Sequence, residues 1–329
     1  MLIDLPLAEL ETYRPDVAEP SDFDGFWAEQ LTAARTHDRE VSFQPVASGL
    51  TTVEVEDVRF PGHGGTPVGG WLLRPAGDPG PLPAIVEFAG YGGGRGLPHE
   101  RLVWSAAGYV HLIMDTRGQG SHGSEGITAD TGDAGEPAAA GWLTRGVLDP
   151  RTAYLTRLYV DAARAVDAVR SHPAVDAQRV GVAGISQGGG LALAAAHLAG
   201  DPAVVLAAVP FLAHIRRAVD LTDEDPYAEL QEYCRHHPDH VEAVFASLAY
   251  HDVVNHARRA TAPTLISVGL ADAVCPPSTG FAAANHHGGD VRVQVYPFDG
   301  HDGGGPHRVR EELAFAAKHL GRAPAAATT

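Results

Sequence analysis

The chain has 329 residues, 44% of them hydrophobic, and a formal net charge of −17 at pH 7, enough apolar material for a sizeable core in one large domain or two small ones. The acidic balance argues against nucleic acid or an anionic membrane as a partner, since both require basic patches. Cys234 and Cys275 are the only cysteines, which excludes a disulfide framework and a four-thiolate zinc site.

In chain order, residues 1–10 have no basic region and no long apolar core, and carry an acid at Asp4. They do not read as a signal peptide, and no apolar run approaches membrane-spanning length. A soluble cytoplasmic enzyme is the expectation. Residues 21–31 read as a capped amphipathic helix with Phe23, Trp27 and Leu31 on the face that packs against a sheet. Alternation over 53–60 and again over 67–75, with Gly62-His63-Gly64-Gly65 between them, predicts a hairpin.

The pattern then changes to short, nearly continuous apolar runs at 83–89, 109–115, 180–185, 204–209, 264–269 and 291–296. Such runs, alternating with helical segments such as 152–171 and 311–320, predict strands buried on both faces of a parallel sheet with right-handed crossovers. The class is therefore α/β: an α/β-hydrolase fold with a mostly parallel central sheet and helices on both faces. We expect a single domain over 1–322, with an N-terminal extension at 1–50 and a helical insertion at 211–259. That insertion should roof the carboxyl edge of the sheet, where ligands bind. Residues 121–147, rich in glycine and acids, read as a functional or interface loop, and 323–329 as a disordered small-residue tail.

Gly184-Ile185-Ser186-Gln187-Gly188 joins the apolar run ending at 185 to a good helix former. A serine in that frame sits on a tight strand-to-helix turn that lifts its hydroxyl clear of the backbone. A serine hydroxyl needs a base, and the base an orienting acid, in the chain order Ser, Asp, His after successive strands. Asp272 follows the run 264–269 and His301 the run 291–296. Asp299 and Asp302 compete for the acid's role, but each is too near His301 in sequence for the usual geometry. Oxyanion donors are expected from the backbone N–H of Gln187 and of Tyr91, the latter in the glycine-rich loop 90–96. The Tyr91 phenol could instead wall the acyl pocket. The phosphate-cradling alternative for this loop lacks a lysine. His236, His237, Asp239 and His240 read as a solvated surface more than as a metal site; His301, Asp302 and His307 have metal-like residue types, but the triad accounts better for His301. Cys275 reads as a buried packing residue.

With these residues in view, the chain resembles the acetyl xylan esterase/cephalosporin C deacetylase family, carbohydrate esterase family 7. The likeness rests on Arg117-Gly118-Gln119 and the Gly-x-Ser-Gln-Gly elbow, and continues through residues 144–149, 211–218, 225–229 and 275–279. It implies a triad of Ser186, Asp272 and His301, an oxyanion hole from the Tyr91 and Gln187 amides, and supporting roles for Arg117, Gln119 and Asp302. It also implies removal of acetyl groups from small acetylated sugars such as xylooligosaccharides, and from cephalosporin C, with no metal and no cofactor, in ring-like homohexamers. There are two departures: His301-Asp302 stands where the family has His-Glu, and Ala89 where relatives often place histidine. Any pairing of Asp302 with Arg117 would need closer approach. A general short-chain carboxylesterase or peptidase of the same fold is the alternative within enzymes. Outside them stands a catalytically silent carbohydrate-binding or assembly protein.

Overall fold

The computed structural model describes residues 3–37, 40–78, 80–130, 140–200 and 202–321. The small-residue tail at 323–329 and the middle of the 121–147 loop lie outside them. The strands are β1 (Ser42–Pro45), β2 (Val53–Pro61), β3 (Pro67–Pro75), β4 (Leu82–Phe88), β5 (Val110–Met114), β6 (Val175–Ile185), β7 (Val204–Ala208), β8 (Thr264–Gly269) and β9 (Val291–Tyr296). They form one sheet in the order β1-β2-β3-β5-β4-β6-β7-β8-β9. Pairings from β1 through β3 to β5 are antiparallel, and all those from β5 to β9 are parallel.

The apolar runs of the inner strands are continuous because both their faces are covered; the edge strand β9 is only partly buried. Along β4, Leu82, Ala84, Val86 and Phe88 point into one core while Ile85 points into the other, the period-two rule of an extended strand. The larger core packs helices Phe23–Arg35, Tyr154–Arg170, Gln187–Leu198 and Pro277–His286 on one face. The smaller packs Trp104 and the helix Gly305–Leu320 on the other. The helix Gln187–Leu198 is buried along all but His197.

Three local differences from the sequence reading have physical causes. β1 lies inside the expected N-terminal extension and pairs with β2; its four residues are too few for alternation to show. The helix at Phe23–Arg35 has Asp22 at its N-cap without a capping bond, because the Asp22 carboxylate accepts instead from the Tyr250 hydroxyl at 2.5 Å. The last helix starts at Gly305, ahead of the expected 311, with Pro306 in its first turn, where its missing N–H costs nothing. The insertion at 211–259 forms helices Ile215–Leu221, Tyr227–His236, Val241–Leu248 and Val253–Ala257. Among the described residues no helix is long and apolar enough to cross a membrane.

Candidate active site

The loops that leave the carboxyl ends of β4, β6, β8 and β9 carry Tyr91, Ser186, Asp272 and His301. In an open α/β sheet this edge is where ligands bind. Ser186 stands between β6 and the helix Gln187–Leu198 at φ 58°, ψ −118°, a conformation that non-glycine residues rarely hold. The turn closes only because its flanks lack side chains. A Cβ on Gly184 would lie 2.3 Å from the backbone of Gly188, and one on Gly188 would lie 2.1 Å from the carbonyl oxygen of Phe88.

Asp272 is fully buried. Its Oδ1 accepts from the backbone N–H of Val274 at 2.9 Å and of Cys275 at 2.8 Å. His301 Nδ1 meets the same carboxylate at 2.9 Å to Oδ2 and 3.1 Å to Oδ1. The two loops converge because Gly269, the last residue of β8, has no side chain. A Cβ there would lie 2.3 Å from the carbonyl oxygen of Gly300 and 2.6 Å from that of Asp299. Ala271 N–H donates to Asp299 O at 2.9 Å and locks the approach.

Cys275 sits beside this pair. Its sulfur lies within 4.8 Å of ligand atoms of both Asp272 and His301. Burial, with the Asp272 charge adding to it, pushes the thiol well above its ordinary range, so it stays protonated and is a poor nucleophile. Among the described residues no hydrogen bond joins Ser186 to His301; in resting sites such bonds are commonly loose.

The remaining expected residues divide. Gln119 is at the centre of a buried network. Its Oε1 accepts from Gly92 N–H at 2.7 Å, and its Nε2 donates to Gln187 Oε1 at 2.9 Å and to the Tyr154 hydroxyl at 3.0 Å. Tyr154 in turn donates to the carbonyl of Arg117 at 2.6 Å. Elbow and oxyanion loop are thus tied together through Gln119. Arg117 is fully buried and turned away, its guanidinium held by Asp161 at 2.5 and 2.8 Å with Asp130 behind at 3.7 Å. Asp302 is exposed, and the pairing with Arg117 weighed from the sequence is not made. The Tyr91 phenol does not simply wall a pocket: it donates to Glu229 Oε1 at 2.5 Å. His236 pairs with Glu232 at 2.8 Å and His240 with the Tyr233 hydroxyl at 3.0 Å.

Sequence reasoning missed three residues. Asp115 accepts from Arg95 N–H at 2.9 Å on one oxygen, and from Ile127 N–H at 2.8 Å and Thr128 N–H at 2.7 Å on the other, so it anchors the far side of the oxyanion loop. Tyr154 and Glu229 are the others. The available signals were that Asp115 ends an apolar run, where a buried acid needs a reason, and that Glu229 closes one of the family-like stretches. Backbone amides of Tyr91 and Gln187 have no acceptor among the described residues. A cleft of about 500 Å³ reaches the elbow beside Gly90, Tyr91, Gly184 and Ile185, and also takes in His122 and Arg308; Ser186, Asp272 and His301 do not line it. A strained serine, an imidazole bound to a buried carboxylate, and two unengaged amides are the parts that nucleophilic acyl transfer requires.

Comparison with known proteins agrees with this chemistry. The family model described as Acetyl xylan esterase (AXE1) matches residues 1–319. The solved acetyl xylan esterase from Paenibacillus sp. R4 is 39% identical, with a TM-score of 0.89, covering 96% of this chain and 100% of that one. Acetyl xylan esterase 1 from Thermoanaerobacterium sp. JW/SL YS485 is 33% identical, with a TM-score of 0.85, covering 96% of this chain and 98% of that one. Acetyl esterase Axe7A of Xylanibacter ruminicola is 29% identical over 282 residues, 84% of this chain. This chain spans 62% of that relative's length.

Proposed function

Because the chain belongs to the acetyl xylan esterase family, and with it to the carboxylic ester hydrolases, we propose that it removes acetyl groups from small acetylated carbohydrates, xylooligosaccharides among them, through an acetyl-serine intermediate. Ser186 attacks the ester carbonyl while His301 takes its proton. Asp272 holds the imidazole in the tautomer that leaves Nε2 free to accept. The Tyr91 and Gln187 amides take the charge that develops on the carbonyl oxygen, a contribution of roughly 2.7–4 kcal/mol per donor to the barrier. His301 then protonates the departing sugar hydroxyl, and water hydrolyses the acetyl-enzyme by the same proton route in reverse.

The observation that carries this reading is the bond from His301 Nδ1 to the buried Asp272 carboxylate, at the same sheet edge as the strained serine. The reading takes in cephalosporin C, which presents the same acetyl ester, and needs no cofactor. We further read residues 1–322 as one catalytic domain, supported by the single sheet. We read the assembly as a homohexamer, supported by the family likeness. A cytoplasmic setting suits two cysteines that are both free thiols.

The test is one substrate panel run on two proteins. Unmodified enzyme should turn over p-nitrophenyl acetate and acetylated xylooligosaccharides, with rates falling steeply from acetyl to butyryl esters. Ser186→Ala should keep its circular dichroism spectrum and lose turnover. Substantial activity left in the variant removes Ser186 from the mechanism, and a flat chain-length profile makes the protein a general carboxylesterase.

A further inference from the structure

Tyr91 is the residue whose backbone amide must point at the oxyanion, and its side chain is held with unusual completeness. The ring meets Trp142 edge-on at 5.0 Å and Phe211 at 6.1 Å. Its hydroxyl accepts from Trp142 N–H at 3.1 Å and donates to Glu229 Oε1 at 2.5 Å. Glu229 also accepts from Gly141 N–H at 3.0 Å on Oε1 and from Leu143 N–H at 3.2 Å on Oε2. Three donors from two separate chain segments therefore converge on one carboxylate. Burial pushes that carboxyl above the usual range, against the three hydrogen bonds that pull it down. A half-buried acid costs free energy that its hydrogen bonds must offset.

Glu229 comes from the helix Tyr227–His236 of the 211–259 insertion. The same helix contributes Tyr227, whose hydroxyl accepts from Leu212 N–H at 3.0 Å and whose ring packs on Phe211 at 4.5 Å. The insertion thus grips the Tyr91 ring from the side, through Phe211, and the phenol from its tip, through Glu229. A phenol has only two rotatable bonds to its backbone, so fixing ring and hydroxyl together restricts where the Tyr91 N–H can aim. On the other side, Gln119 holds the next amide, that of Gly92.

We propose that Glu229 is a positioning residue for acyl transfer: by clamping the Tyr91 phenol and the 141–143 segment, it sets the direction of the Tyr91 oxyanion donor, and so makes the helical insertion part of the oxyanion hole. The proposal rests on the acyl-serine reading above. Glutamine at 229 keeps the volume but offers one acceptor oxygen, leaving an NH2 group to face an N–H donor. The Tyr91 amide would then be loosened, not removed.

The experiment compares Glu229→Gln, Tyr91→Phe and the double variant with the unmodified enzyme. Four quantities are read: kcat and KM for p-nitrophenyl acetate, Ki for methylboronic acid, and Tm. Boronate adds to the serine as a tetrahedral anion and so reports the oxyanion donors directly. Full loss of a donor is worth roughly 10²–10³ in kcat, so a misaimed one should lower kcat by about tenfold or more. KM should stay within about twofold, since the loss is confined to the transition state. The boronate Ki should rise by the same factor as kcat falls, and the double variant should be no worse than the worse single one. Unchanged kcat and Ki in either single variant, with only Tm lowered, overturns the proposal. So do losses that multiply in the double variant, because Glu229 would then act elsewhere. Should Glu229→Gln fail to fold, Tyr91→Phe decides alone. If the unmodified enzyme ignores methylboronic acid, or Ser186→Ala stays active, it is the acyl-serine reading that has failed.

Discussion

Asparagine in place of Asp272 would still accept the Val274 and Cys275 amides through its oxygen, so the loop after β8 should keep its shape. The NH2 group would then face His301 Nδ1 and force the proton onto Nε2, the atom that must receive the serine's. We expect Asp272→Asn to lower kcat on the order of 10³–10⁴-fold at unchanged Tm; stopped assays beside a thermal melt check both halves. At this scale much of the site was legible. Ser186, Asp272 and His301 announce themselves by their order and by the strands they follow. Glu229 does not, because its partner Tyr91 is 138 positions away and nothing local to either residue records the contact. Asp302 is the converse case. A charged neighbour of the base looks functional in sequence, yet Arg117 is closed off by Asp161.

The 211–259 insertion carries a group of buried ionisable residues with a consequence for acid stability. Burial lowers His251 to about 3 and His214 to about 4, and holds His256 well below its ordinary value. Each is neutral in the fold and binds a proton more readily once unfolded, so stability is present above about pH 6.5 and is lost as pH falls toward the folded values. For the fully buried His251 the loss reaches roughly 2 kcal/mol by pH 5. Asp252, raised to about 6 by burial, works the other way. Its contribution is present below about pH 4 and is lost as pH rises through 6, so it offsets part of the histidine effect. Tm should therefore drop by several degrees from pH 7.5 to pH 5, and His251→Gln should flatten that slope. A Tm that holds steady or rises on acidification contradicts the argument. Element boundaries show what sequence can carry. The six apolar runs became β4 to β9; the inner ones are buried on both faces, which leaves an unbroken pattern, while the edge strand β9 is only partly buried. β1, by contrast, has one apolar side chain, Phe43, seated on the His172 ring at 4.6 Å, and Pro45 at its end, as an edge strand tolerates.

For the whole molecule the mostly parallel sheet was implied by alternating strands and helices, though not its strand order, and subunit number has no such local trace. Light scattering on the purified protein should give six chains of 34.5 kDa each in one particle; a monodisperse monomer or dimer removes the hexamer from the reading. Crowding at Gly269 bears on how the enzyme can change. The turns bearing the acid and the base touch backbone to backbone there, with no side chain to act as a cushion. Neither can be lengthened, shortened or borrowed from a cousin without displacing the other. Variation in this part of the enzyme should therefore arrive as matched pairs of turns, and an engineer grafting new specificity would have to transplant both together.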